Sequence, residues 1–116
     1  MSHYPISSPM RAFVDKTESF TTTDTSLASL RQNYNRMCRA FTPPPPQDLL
    51  IEDFSLGGVA VRSYRPTTAT PSNGWPCLLY LHGGGWVVCD LDTHDAVCRR
   101  LCLGTDAVVV SVDYRL

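Results

Sequence analysis

The stretch Cys77-Leu78-Leu79-Tyr80-Leu81-His82-Gly83-Gly84-Gly85-Trp86 places three consecutive glycines directly after an apolar run of strand length. A continuous apolar run of this kind predicts a β-strand that is buried on both faces. Glycine has no Cβ, so the backbone after the strand can adopt dihedral angles that other residues avoid, and its N–H groups can converge on a bound oxygen. The stretch therefore predicts a strand that ends in a cluster of backbone hydrogen-bond donors.

Two kinds of chemistry use such backbone donors. Phosphate-binding loops need either a G-x-x-x-x-G-K-[ST] motif or a G-x-G-x-x-G motif that runs into a helix, and the sequence contains neither. Acyl transfer uses them because its tetrahedral intermediate carries a negative charge on the former carbonyl oxygen, where each fixed donor contributes about 3 to 4 kcal/mol. The glycine loop therefore favours an oxyanion hole over a phosphate site.

A second apolar run, residues 107–112, predicts another buried strand, and the residues between the two strands predict a helix. Asp92 or Thr93 is expected to cap the start of this helix, and Gly104 is expected to end it. The residues predicted to face inward are Ala96, Val97, Leu101 and Cys102. Strands joined through a helix are expected to be parallel, so the glycine loop opens at the carboxyl edge of the sheet, where α/β sheets bind ligands.

Two amphipathic helices are predicted in the first part of the chain. Ser8 and Asp24 are expected to cap them, and four consecutive prolines, residues 43–46, end the second helix. The apolar stripe of the second helix consists of Leu27, Leu30, Tyr34, Met37 and Phe41. The helices and the proline linker are predicted to occupy residues 1–46.

Beyond the prolines the sequence pattern changes to that of strands. Residues 50–56 and 59–64 flank Gly57-Gly58, a pair that is typical of a tight turn between antiparallel strands. A hairpin is therefore expected before the two parallel strands. Together these elements predict an α/β domain over residues 47–116.

The composition excludes several classes of protein. The chain has 116 residues, of which 43% are hydrophobic, and a formal net charge of −1. These values argue against a disordered chain and against a broad nucleic-acid-binding surface. No apolar run reaches the roughly 18 residues that span a bilayer, and no signal-peptide core is present. We therefore expect a folded cytoplasmic protein with no transmembrane segment and no nucleic-acid partner.

The five cysteines are odd in number and form no Cys-x-x-Cys pair, which argues against a secreted disulfide framework. They are Cys38, Cys77, Cys89, Cys98 and Cys102. Cys89, Cys98 and Cys102 could form a metal site together with His94, but the ligands of structural zinc usually come in closely spaced pairs along the sequence. Small buried apolar side chains are the preferred interpretation. No metal and no cofactor is expected.

Three motifs resemble one family in their order and spacing. They are His82-Gly83-Gly84-Gly85-Trp86, then Leu91-Asp92-Thr93-His94-Asp95 leading into Cys98-Arg99-Arg100-Leu101, and finally Val110-Ser111-Val112-Asp113-Tyr114-Arg115-Leu116. The chain resembles the N-terminal part of the hormone-sensitive-lipase-like branch of the α/β hydrolases, whose H-G-G-G loop forms an oxyanion hole. The resemblance is good over residues 48–116 and looser over residues 8–41. It implies two cap helices, an antiparallel hairpin and a parallel β-α-β unit in an incomplete sheet.

The resemblance also implies roles for individual residues. The amides of Gly83 and Gly84 would bind the oxyanion, with Gly85 at the border of the hole. His82 would support the loop from inside and would not be the catalytic base. Trp86 would line the substrate pocket or simply pack against the loop. Asp113, Tyr114 and Arg115 would brace the floor of the site by hydrogen bonds and ion pairing.

The sequence holds no G-x-S-x-G nucleophile elbow, and the acid and base follow that serine in this fold. We expect the sequence to stop before the elbow, so that this chain supplies only the oxyanion hole of a carboxylic ester hydrolase and is inactive alone. A complementing C-terminal chain or segment would provide the triad for a small-molecule ester. Two alternatives remain, namely a non-catalytic, receptor-like small-molecule-binding protein on the same fold and a truncated fragment without function.

An unpaired edge is a further expectation from the incomplete sheet. In the family the strand that matches residues 77–81 lies between two neighbours, one of which would come later in the chain. Without that neighbour its edge is apolar and prone to aggregation. The chain alone is therefore expected to be insoluble or molten, or to need the complementing chain.

Overall fold

Three helices and four strands form residues 4–116, which are the residues described by this computed structural model. The helices are α1 (Ser8–Glu18), α2 (Leu27–Phe41) and α3 (Asp95–Thr105), and the strands are β1 (Leu49–Leu56), β2 (Val59–Pro66), β3 (Cys77–Leu81) and β4 (Val108–Val112). The first three residues of the predicted segment 1–46 lie outside the described residues.

One four-stranded sheet organises the second part of the chain, in the order β1-β2-β4-β3. β1 and β2 are antiparallel and are joined at Gly57 and Gly58, which have φ values of +57° and +83°. β2 and β4 are antiparallel, whereas β3 and β4 are parallel and connected through α3. The predicted hairpin, the parallel β-α-β unit and the incomplete α/β sheet are confirmed.

The core lies between the sheet and α3. Tyr64 of β2 and Val109 of β4 are fully buried against Cys98 and Cys102 of the helix. Of the residues predicted to face inward, Cys102 is buried and Leu101 packs against the core, whereas Ala96 is only half-buried and Val97 is 45% exposed, so the prediction for Val97 is wrong. Cys98 and Asp95, which were not predicted to face inward, are buried as well. The carboxylate of Asp95 can be buried there because hydroxyl and guanidinium groups surround it.

Strand β3 is not buried on both faces, in contrast to the prediction. Leu79 is 69% exposed and Leu81 is 61% exposed. The reason is that Leu79 and Leu81 share one face of the strand, whereas the core formed with α3 lies on the opposite face, where Tyr80 packs. β4 itself lies between two strands and alternates between buried and half-buried residues.

Each predicted N-cap of the first two helices is displaced by one or two residues. Ser7 caps α1, and its hydroxyl accepts a hydrogen bond from the Met10 amide. Ser26 caps α2, while Asp24 accepts a hydrogen bond from the Ser26 amide one turn earlier. Neighbouring small polar side chains compete for these positions, because each can accept a hydrogen bond from a free amide of the first turn.

Both predicted ends of α3 are also different in the structure. Asp92 and Thr93 do not cap the helix, since their amides donate to Oδ1 of Asp90 in a preceding turn. Gly104 lies within α3, and Asp106 takes the left-handed C-terminal position with φ +54°. Aspartate tolerates that conformation better than most residues, which explains why no glycine is needed there.

The two N-terminal helices contact each other and the residues that follow the glycine loop. The rings of Phe13 and Phe41 lie 5.1 Å apart between α1 and α2. Nε of Arg31 donates to the carbonyl of Val87 at 2.7 Å, and the amide of Asn35 donates to the carboxylate of Asp90. Within residues 4–116 no helix is both long enough and apolar enough to cross a membrane.

Candidate active site

The glycine loop leaves the carboxyl end of β3, where the β-α-β topology opens the sheet edge. A cavity of about 260 Å³ is lined by residues 82–86 together with Tyr114. His82 is buried at its base, with 3% of its surface exposed. Tyr114 follows β4, the strand that lies beside β3. The ends of two adjacent parallel strands therefore form this site.

Gly84 is the residue of the loop that tolerates no side chain. Its φ is +128°, and a Cβ at this position would lie 2.2 Å from the carbonyl oxygen of Val88 and 2.9 Å from Sγ of Cys89. Gly85 also has a positive φ, of +61°, although the space around it is open. The path of the loop thus requires glycine at position 84 for both steric and backbone reasons.

Hydrogen bonds hold the carbonyl side of three consecutive peptide units in this loop. The hydroxyl of Tyr114 donates to the carbonyl of His82. Nδ1 of His82 lies 2.8 Å from the carbonyl of Gly83 and therefore carries the proton that it donates. The amides of Val87 and Val88 donate to the carbonyl of Gly84 at 3.1 and 3.2 Å.

The N–H groups of the same peptide units are left free. In a planar trans peptide the C=O and the N–H point in opposite directions, so anchoring the oxygen directs the hydrogen the other way. The amides concerned are those of Gly83, Gly84 and Gly85. None of the three donates to another group of the chain within residues 4–116. The loop therefore presents unused, fixed backbone donors, which is the requirement for stabilising an anion.

Aromatic contacts surround His82. Its ring stacks on that of Tyr114 with 4.3 Å between centroids, and the ring of His94 lies 5.8 Å away. Nδ1 of His94 is 2.8 Å from the hydroxyl of Tyr80. Burial, and then the nearby ring of His82, lowers the pKa of His94. Both rings thus have a nitrogen engaged in a bond that fixes their orientation.

Trp86 is 80% exposed beside the cavity, with φ +58°. The interpretation that it packs against the loop stays a prediction. Its φ is uncommon for a bulky side chain, and such conformations are concentrated at functional sites. The interpretation that it lines a pocket stays a prediction.

The three residues after β4 contribute unequally to the site. Tyr114 contacts both the ring and the carbonyl of His82. The amide of Asp113 donates to the carbonyl of Ala60, which ties the segment to β2. The side chains of Asp113 and Arg115 are exposed and form no ion pair with the described part of the chain. The expected ion pairing at the floor is not present here.

Sequence reasoning missed a charged cluster around Arg62. Arg62 of β2 contacts the carboxylates of Asp53, Asp92 and Asp95 at 2.6, 2.9 and 3.2 Å. Asp95 also pairs with Arg99. The guanidinium of Arg62 lowers the pKa of Asp53. These residues come from four segments of the chain, so no local motif connects them.

No group of three or more histidine, cysteine or acidic side chains is placed to hold a metal ion among the described residues. Cys98 and Cys102 are fully buried in the core. Burial raises the pKa of Cys98 to about 11, so its thiol stays protonated. All five cysteines are free thiols.

Comparisons with known proteins identify relatives of this chain in sequence and in structure. A family described as having the α/β hydrolase fold matches residues 78–116. Esterase LipI of Mycobacterium tuberculosis is 40% identical over 97 residues, which are 80% of this chain and 29% of LipI. A thermostable carboxylesterase cloned from a metagenomic library is 37% identical, with a TM-score of 0.63 over 83% of this chain and 33% of that one.

A further solved structure shares the fold. An esterase from the bacterial hormone-sensitive lipase family has a TM-score of 0.78 at 24% identity, over 97% of this chain and 37% of that one. The chain thus spans less than a third of the length of LipI and little more than a third of this esterase.

Proposed function

This chain belongs to the α/β hydrolases, and from that membership we propose that it supplies the oxyanion hole of a carboxylic ester hydrolase of the hormone-sensitive-lipase-like branch. The observation that carries the proposal is the arrangement of the glycine loop. The carbonyl groups of three peptide units are held from one side, and the N–H groups of Gly83 and Gly84 are left free.

The proposed reaction is acyl transfer through a covalent intermediate. A serine attacks the ester carbonyl, a histidine takes the serine proton and gives it to the leaving alcohol, and an acidic residue orients that histidine. Water then hydrolyses the acyl-enzyme. These three groups belong to a C-terminal segment or chain that completes the site. The substrate is a small-molecule ester.

The role of this chain is electrostatic. As the carbonyl carbon becomes tetrahedral, its oxygen gains a negative charge, and the amides of Gly83 and Gly84 donate to it. Each such donor contributes about 3 to 4 kcal/mol to transition-state stabilisation when it is fixed in advance. Gly85 borders the hole and serves the turn.

His82 supports the loop and does not act as a base. Its Nδ1 donates to the carbonyl of Gly83, and this bond turns the amide of Gly84 away from the imidazole. The other ring nitrogen, Nε2, is buried and has no hydrogen-bond partner among the described residues, so it is closed to a serine or a substrate. The exposed ring of Trp86 lies next to the amides, where it would line the acyl or alcohol pocket.

The two N-terminal helices form part of a cap in this proposal, with residues 1–46 as cap and linker and residues 47–116 as the start of the catalytic domain. The contacts of Arg31 and Asn35 with residues 87 and 90 support this division, because they place α2 beside the loop. Five free thiols fit a reducing compartment, and the cytoplasm is the proposed location.

Complementation tests the proposal. The chain is purified alone and is also co-expressed with the part of LipI that follows the region it matches. Hydrolysis of p-nitrophenyl butyrate is expected from the pair, with inhibition by an aryl phosphonate, and not from the chain alone. The LipI segment alone is the control. Serine-type turnover by the isolated chain, or a soluble pair that turns over no ester, would contradict the proposal.

A further inference from the structure

We infer that Tyr114 is a positioning residue for the oxyanion hole, in that its hydroxyl sets the direction of the Gly83 N–H by holding the carbonyl of His82. The inference rests on the proposed function of the glycine loop. It assigns a role in catalysis to a side chain that would otherwise be regarded as part of the floor.

The peptide unit between His82 and Gly83 needs an external anchor. Gly83 has no Cβ, and a side chain built at this position would meet nothing within 4 Å. Glycine populates positive and negative φ about equally, so little in the residue itself opposes a flip of this peptide. A flip would exchange the directions of the C=O and the N–H. The free amide would then no longer face a bound oxygen.

Tyr114 supplies the anchor. Its hydroxyl is the group that donates to the carbonyl of His82 within the described chain, whereas the carbonyl of Gly84 has two amide donors. Its ring is held at the same time, because it stacks on the imidazole of His82 with an interplanar angle of 17°. The hydroxyl is therefore fixed relative to the peptide that it orients.

The strand register explains why these two residues meet. Leu81 at the end of β3 pairs with Val112 at the end of β4. The strands are parallel, so His82 and Tyr114 both lie just beyond the same edge of the sheet. A long, flat side chain two residues after β4 can thus cover the first residue of the loop. Phenylalanine would keep the ring contact and lose only the hydrogen bond.

A single carbonyl group can be observed directly. His82-Gly83 is the only His-Gly pair in the sequence, so labelling with ¹³C-carbonyl histidine and ¹⁵N-glycine gives one correlated signal. The labelled chain is paired with the unlabelled LipI segment. In Tyr114→Phe the carbonyl signal is expected to move upfield and the amide signal to shift or broaden. Tyr80→Phe is the matched control, because the Tyr80 hydroxyl contacts the His94 ring and no carbonyl.

Kinetics on the same pair measures the consequence for catalysis. Tyr114→Phe is expected to lower kcat for p-nitrophenyl butyrate by about tenfold while KM changes less than about twofold, because a misdirected donor weakens transition-state binding and little else. Tyr80→Phe is expected to keep kcat within about twofold. Unchanged kcat in Tyr114→Phe, or an unchanged His82 carbonyl signal, overturns the inference.

The two readouts separate this inference from the proposed function. If the pair hydrolyses no ester, the proposed function fails, and the carbonyl signal still decides whether Tyr114 holds the peptide. If the pair is active and Tyr114→Phe matches the parent, only the role of Tyr114 fails. Tyr114→Phe could also lose activity only because it unfolds at a lower temperature. If the variant has a lower melting temperature and recovers the parent's activity in assays run well below that temperature, the role of Tyr114 is merely structural and the inference is overturned.

Discussion

The hydroxyl of Tyr64 donates to Oδ1 of Asp95 across 2.6 Å in the interior of the protein. This bond joins β2 to the first turn of α3, and it leaves the carboxylate of Asp95 shared with Arg62 and Arg99. Burial and the neighbouring carboxylate raise the pKa of Tyr64, so the phenol remains a donor at all ordinary pH values. A neutral donor and two cations thus compensate one buried acid.

Replacement of Asp95 is expected to lower the free energy of unfolding. Asp95→Asn removes the negative charge from between two largely buried guanidinium groups, and breaking a buried pair typically costs about 3 kcal/mol. Asp53→Asn is the matched control. The carboxylate of Asp53 also contacts Arg62, but it is 58% exposed and should contribute below about 1 kcal/mol. Urea denaturation of the complemented pair measures both, and equal losses for the two variants would refute the ranking.

Gly84 should not tolerate even a methyl group. In Gly84→Ala the new Cβ meets the carbonyl of Val88 at 2.2 Å, at a φ that alanine rarely adopts. The loop must move, and we expect kcat of the complemented pair to fall by about 100-fold, which is the typical cost of one lost oxyanion donor. Gly104→Ala in α3 meets open space and should leave kcat unchanged. Turnover at the parent level in Gly84→Ala shows that the loop is not the oxyanion hole.

Stability should fall in mild acid because of His94. Its pKa is lowered by burial and then by the ring of His82, against the opposing influence of Asp90, so folding favours the neutral imidazole. A group with a lowered pKa in the folded state contributes stability above its ordinary pKa of 6.5, and this stability is lost as the pH falls below that value.

Urea midpoints between pH 7 and pH 5 test this prediction. His94→Gln carries no proton equilibrium in that range and should show a flatter dependence on pH than the parent. A parent curve as flat as that of the variant speaks against a buried neutral imidazole at position 94.

The exposed edge of the sheet should control aggregation. Leu79 lies in β3 and is 69% exposed, so Leu79→Lys places a charge on the edge strand, and charged edges resist pairing with other chains. We expect less light scattering from the isolated chain. Leu103→Lys replaces a leucine that is 39% exposed on α3, away from both edges of the sheet, and should have a smaller effect. Equal effects of both variants would indicate general solubility rather than protection of the edge.

Local patterns in the sequence predicted the sheet well. The apolar runs and the Gly57-Gly58 pair identify strands and a hairpin turn, and the helix between residues 81 and 107 dictates parallel pairing. The burial of β3 was not predictable from the same pattern, because it depends on which elements pack on each face of the sheet and not on the strand itself. Competition between neighbouring small polar side chains, Ser7 with Ser8 and Asp24 with Ser26, explains the displaced helix starts.

The candidate site was predicted only in its backbone chemistry. Three glycines after a strand predict free amides, but the groups that orient them come from distant positions. Tyr114 lies 32 residues from His82 in the chain, and the hydrogen bond between them depends on strand register. The acids around Arg62 were missed for the same reason, since they are separated along the chain and meet only after α3 packs on the sheet.

The contacts of α2 offer a way to observe the loop from outside. Arg31 binds the carbonyl of Val87, whose own amide donates to the Gly84 carbonyl, and Asn35 binds Asp90, two residues after the second donor, Val88. Any displacement of α2 is therefore transmitted to residues 87–90, which include the two amides that fix the Gly84 carbonyl. A fluorophore on the outward face of α2 would report whether a displacement of this helix also moves the glycine loop.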